Sequence, residues 1–112
     1  MAQADLLPVN FTLSDAAKAA IEVFRAEYDA RFPDNPAAVL SIGWGYVEGT
    51  DPLKGRVIVN YYPQSQLADV AHGIQEVSGV KFIYFTVDRF HRLFEGKVLD
   101  QDAKQGFFLR DP

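Results

Sequence analysis

The chain has 112 residues, about the size of one domain, which excludes a multidomain enzyme. Its composition, 48% apolar and 23% charged, supports a buried core and excludes a disordered chain. The formal charge of −4 is spread over both halves, so neither is a basic footprint for nucleic acid. The absence of cysteine excludes disulfides, thiolate nucleophiles, zinc–thiolate sites and cysteine-held iron–sulfur clusters within one chain.

Residues 1–10 read as a loose leading segment. They lack a basic cluster and carry only the apolar step Leu6-Leu7, so no signal peptide is expected and the cytoplasm is the expected compartment. A first helix follows, capped by Thr12 or Ser14, with Asp15 at the positive end of the helix dipole. Ala17, Ile21, Phe24 and Tyr28 recur at spacings of four, three and four and share a face, opposite Lys18, Glu22, Arg25 and Asp29. Pro33 and Pro36 stop this helix, because each removes a donor and disfavours helical angles at the residue before it.

Residues 38–43 and 56–62 are rich in β-branched and aromatic side chains and read as strands; in the second, Val57, Val59 and Tyr61 alternate with Arg56, Ile58 and Asn60. The glycines and proline of residues 43–55 mark a loop or ragged hairpin end, and residues 63–73 are polar and irregular. Residues 75–77 and 80–85 flank Ser78-Gly79, a two-residue connection suited to a tight hairpin. Thr86 or Asp88 can cap a short second helix with Phe90, Leu93 and Phe94 on one face and Gly96 as its left-handed terminator. Residues 97–100 and 107–110 form a last strand pair. No stretch approaches the roughly 18 apolar residues that cross a bilayer, so no membrane association is expected. The sum is a single α+β domain over residues 1–112, with largely antiparallel sheets arranged as a sandwich or pseudo-barrel.

Three segments carry a family resemblance: FTLSDAAKAAIEVF at 11–24, SIGWGYVEG at 41–49, and residues 77–112 with LFEGKVLD at 93–100 and the closing Gly106-Phe107. Together they resemble the HesB/IscA-like family, the A-type carriers of iron–sulfur cluster biogenesis, and cover most of the chain. The resemblance implies the HesB-like fold: a capped helix, a glycine-rich loop after the first long strand, a hairpin, a short helix and a closing strand. It also implies a ligand set of three cysteines, one in the glycine-rich loop and a C-x-C pair beyond the last strand. None is present. Tyr46 falls about where the loop cysteine would be, and a phenol with a pKa near 10 is a poor replacement for a thiolate. The resemblance thus implies the scaffold without the cluster chemistry, and no cofactor is expected.

Other chemistry finds little footing. His72 and His91 with an acid such as Asp69, Asp88 or Glu95 make the one conceivable two-histidine, one-carboxylate iron site, but their spacing does not support it, and Arg89 and Arg92 flank His91. Asp100 and Asp102 read as turn-forming acids rather than a cation site. Arg89 and Arg92 read as the solvated face of their helix. Gly43, Gly45 and Gly49 miss the dinucleotide-binding spacing by one residue, with no helix behind them. Ser14, Ser41, Ser65 and Ser78 have no elbow or base to activate them. Aromatic residues are the remaining feature, with Trp44, Tyr46, Tyr61 and Tyr62 close to the glycine loop. Trp44 and Tyr46, expected in an exposed loop, are the candidate contacts for a protein partner or a second copy. The expected function is that of a non-enzymatic binding or adaptor protein; the alternative is a small iron-binding protein or metalloenzyme using His72, His91 and carboxylates.

Overall fold

The computed structural model describes residues 7–85 and 88–112. Strand β1 (Thr12–Leu13) leads into helix α1 (Asp15–Arg31), β2 (Ala37–Gly45) and β3 (Arg56–Pro63), then the single helical turn α2 (Leu67–Val70). The hairpin β4 (Ile74–Val77) and β5 (Val80–Phe85), helix α3 (Asp88–Phe94), and the hairpin β6 (Val98–Asp102) and β7 (Gly106–Arg110) complete the chain. They build a three-stranded sheet in the order β1-β6-β7 and a four-stranded sheet in the order β3-β2-β5-β4.

The fold is α+β, as the pattern of elements predicts, but both sheets are mixed and no closed barrel forms. The three hairpins are antiparallel, whereas β1 pairs with β6 and β2 with β5 in parallel. A parallel neighbour needs a long crossover rather than a tight turn. Here residues 63–73 help to supply it, taking up two 3-10 turns around α2 instead of an irregular path. Elements of three or four residues leave no periodicity in the sequence.

Helix α1 starts at Ser14, not Thr12, whose backbone is already in β1. The Ser14 hydroxyl accepts from the Ala17 amide at 3.0 Å and donates to Asp100 Oδ1 at 2.7 Å, so a single side chain caps the helix and ties it to β6. At the other end the Asp29 carboxylate accepts from the Ala37 amide at 2.7 Å and Arg25 donates to the Ala37 carbonyl at 3.2 Å. The first residue of β2 is therefore held by two side chains one helical turn apart. Ala17 and Ile21 of the expected apolar face are buried; Phe24 lies at the rim against Phe107, and Tyr28 stacks between Phe32 and Tyr61.

Strand β2 is central, and its register aligns Leu40, Ile42 and Trp44 with Tyr61, Val59 and Val57 on one side and Leu40 and Ile42 with Phe82 and Tyr84 on the other. That face, together with Phe11, Phe94 and Leu99, is the core. Phe11 sits with its ring 5.0–5.9 Å from those of Phe82, Tyr84 and Phe94. The Ser78-Gly79 turn has positive φ at both residues, 56° and 79°, and Gly96 closes α3 at φ 70°, as their positions in the sequence imply. The proposed cap Thr86 lies outside the described residues.

Residues 7–10, expected to be loose, are tied down. Gln75 donates to the Leu7 carbonyl and accepts from the Val9 amide, and Asn10 bridges the His91 carbonyl and the Tyr84 hydroxyl. The rest of that segment, residues 1–6, lies outside the described residues. Among the described residues no helix is long and apolar enough to cross a membrane.

Candidate functional site

The glycine-bearing segment divides differently from the sequence expectation. Strand β2 runs through Gly43, Trp44 and Gly45, leaving residues 46–55 as the connection to β3. Strand alternation points Trp44 to the core side, where its ring centroid lies 6.4 Å from that of Phe90 and 6.2 Å from that of Phe94. Its indole N–H donates to the Pro52 carbonyl at 2.8 Å. Trp44 is therefore a half-buried clamp between core and connection rather than an exposed loop residue.

The glycines around it serve close packing. A Cβ on Gly55 would lie 2.1 Å from the Gly45 carbonyl oxygen and 2.9 Å from Trp44 Nε1; one on Gly45 would lie 2.6 Å from Ile58 Cγ1. Glycine at 55 lets the Gly45 backbone and the Trp44 indole approach, and glycine at 45 makes room for the Ile58 side chain. The connection is further held by Asp51, which accepts from the Leu53 amide at 3.0 Å and caps a 3-10 turn at residues 52–54, and by Thr50, whose amide and hydroxyl both donate to the Val47 carbonyl.

This ordered connection presents three large apolar side chains to solvent: Tyr46 at 45% exposure, Val47 at 72% and Leu53 at 53%. Tyr46 leans on Phe90 with ring centroids 5.8 Å apart. Beside it lies an open groove of about 630 Å³ lined by Tyr46, Val47, Thr50, Lys54, Arg56 and Ile58. A second depression of about 370 Å³ continues over the outer face of the sheet past Ser41, Gly43, Asn60 and Tyr62, sharing Gly45 and Ile58 with the first. Of the two expected contact residues, the structure leaves Tyr46 at the surface and takes Trp44 into the packing. It adds Val47, Leu53, Lys54, Arg56 and Ile58, which sequence reasoning missed. The available signal was Val47 and Leu53 themselves, bulky apolar residues among turn formers with no periodic partner to bury them.

The histidines do not converge on a site. His72 is exposed in the 3-10 turn after α2; His91 is half-buried on α3, stacked 5.6 Å from Tyr84, with Nε2 3.0 Å from the Pro8 carbonyl oxygen. Asp69 and Glu95 are exposed, and the Asp88 and Arg89 side chains lie outside what the structure describes. Among the described residues no three His, Cys, Asp or Glu side chains are grouped to hold a metal.

The oxygens of Asp100 and Asp102 are engaged by protein donors. Asp100 accepts from Ser14, the Gln101 amide and Arg110 Nε at 2.7–2.8 Å, and these bonds, Ser14 foremost and Arg110 next, hold its carboxyl down at about 2. Asp102 accepts from the Lys104 and Gln105 amides across the β6–β7 turn, which likewise lowers its pKa, the Gln105 amide contributing most. The turn reading describes Asp102; Asp100 is instead a strand residue of β6 whose carboxylate joins the Ser14 cap to Arg110. Tyr61 is shifted upward: its hydroxyl donates to the Ile21 carbonyl at 2.8 Å, and burial first and the Glu22 carboxylate second push it up to about 12.

Comparison with known proteins finds no matching family model and no matching curated protein.

Proposed function

We propose that this chain is a non-enzymatic binding or adaptor protein, a HesB/IscA-like scaffold without the cluster site, that works in the cytoplasm. It contacts a protein partner or a second copy through the β2–β3 connection. The family part of the reading rests on the segments at 11–24, 41–49 and 77–112 and on the missing cysteines. The observation that carries the binding role is the placement of Tyr46, Val47 and Leu53. All three are exposed on a connection whose own backbone is fixed by Asp51, Thr50 and Trp44. Large apolar side chains held out on an ordered frame favour recognition, because little conformational entropy is lost when they are covered.

The test compares the wild-type chain with a Tyr46→Ala, Val47→Ser double variant whose circular dichroism and Tm match it. Enrichment of a specific partner, or sedimentation as a dimer, is expected for the wild type and not for the variant. Equal association of the two would overturn the reading. So would anaerobic treatment with iron and sulfide that left a brown protein with both elements bound in whole-number ratio.

A further inference from the structure

We infer that the groove beside Tyr46 takes an acidic segment of a partner protein, in which a large apolar side chain is flanked by carboxylates. This rests on the adaptor reading above and adds the chemistry of the partner. The floor and one wall of the groove are apolar, supplied by Ile58, Tyr46 and Val47, and suit an inserted side chain. Its remaining wall carries Lys54 and Arg56, both exposed.

Lys54 and Arg56 are the two cations of a lining that contains no acid, and like Arg25, Arg31, Lys81, Arg92 and Lys104 they stand outside the ion pairs of the described residues. Among the described residues the ion pairs are Lys18 with Asp15, Lys97 with Asp111, and Arg110 with Asp100; neither Lys54 nor Arg56 has a carboxylate partner. The acids nearest in sequence, Glu48 and Asp51, do not line the groove. The groove lining therefore combines apolar surface with two positive charges and no acid, and its complement is apolar and negative. It is open along its length rather than a closed chamber, which suits a chain segment crossing it. Apart from Lys54 and Arg56 the chain carries nine bases and fifteen acids, and this excess of six negative charges opposes a uniformly acidic partner, so the complementary charge is confined to the docking segment.

The experiment uses three short synthetic peptides with the same Phe-Leu centre, flanked by Glu, by Ser or by Lys. Each is titrated into the full chain labelled for amide NMR. The Glu-flanked peptide is expected to bind on the order of ten-fold more tightly than the Lys-flanked one, with the Ser-flanked one between. The shifts should be concentrated at residues 45–58. Lys54→Gln and Arg56→Gln should each weaken the Glu-flanked peptide about three-fold, and Lys54→Glu with Arg56→Glu should invert the order of preference, with the amide spectrum confirming the fold in each case. Equal affinity for the three peptides, preference for the Lys-flanked one, shifts centred elsewhere, or no binding would overturn the inference. Charge-blind binding at the groove would do so while leaving the adaptor reading standing. Stoichiometric iron and sulfide would sink that reading whatever the peptides do.

Discussion

Trp44 near the end of β2 and Tyr46 just beyond it are two residues apart, and replacing each by alanine should separate a residue that holds the fold from one that serves binding. Trp44→Ala removes two aromatic contacts with the core rings Phe90 and Phe94 and the hydrogen bond to the Pro52 carbonyl. A fully buried tryptophan truncated to alanine costs about 3–5 kcal/mol; for the half-buried ring here about 2–3 kcal/mol is expected, of which the hydrogen bond contributes about 1 kcal/mol. In a domain of this size that lowers Tm by roughly 10–15 °C. Tyr46→Ala loses one partly exposed ring contact with Phe90 and should cost no more than about 1 kcal/mol. Because Trp44 is the only tryptophan, unfolding is followed by far-ultraviolet circular dichroism rather than indole fluorescence. Trp44→Phe is the internal control: it keeps an aromatic ring against Phe94, loses the N–H donor, and should fall between the other two. The reasoning fails if Trp44→Ala unfolds within about 3 °C of the wild type, or if Tyr46→Ala is the more destabilising change.

Gly55→Ala places a methyl group 2.1 Å from the Gly45 carbonyl oxygen, so either the strand ends part or the indole leaves its slot. A loss of about 2–3 kcal/mol is expected in urea unfolding, and a neutral result would refute the close approach. Tyr61 should ionise near 12 in a titration of phenolate absorbance. Its pKa is raised above the usual 10, so the linked stability is complete below pH 10 and is lost as pH climbs through about 12; Tyr61→Phe should remove that late step and cost about 1 kcal/mol. Asp100 behaves in the opposite sense. Its pKa is depressed from 3.8 to about 2, so the stability it contributes is complete above about pH 4 and is lost as pH falls through about 2. The stability gap between wild type and Ser14→Ala should therefore narrow over that window to the helix-capping contribution at Ala17, about 1 kcal/mol; a gap independent of pH would show that Ser14 and Asp100 are not coupled.

What could be read from the sequence is what short-range chemistry determines. The Ser14 cap, the Ala17–Ile21 face, the Ser78-Gly79 turn and Gly96 each depend on a few adjacent residues, and each has the predicted role in the structure. The parallel pairings β1–β6 and β2–β5 were not legible, because they join residues far apart in the chain and no turn signals them. The misplacement of Trp44 has a more specific cause. Glycine at 43, 45 and 55 reads as loop when backbone freedom is the only reason considered for glycine, yet at 55 the missing Cβ is what allows the Gly45 backbone and the Trp44 indole to approach, and at 45 it makes room for the Ile58 side chain. With Trp44 turned inward to bond Pro52, Val47 and Leu53 remain at the surface with Tyr46, beside Lys54 and Arg56. The packing residue Trp44 and the contact residues share one short connection held together at Gly55. A substitution at Gly55 should therefore impair stability and recognition together, whereas one at Tyr46 or Lys54 should impair recognition with little loss of stability.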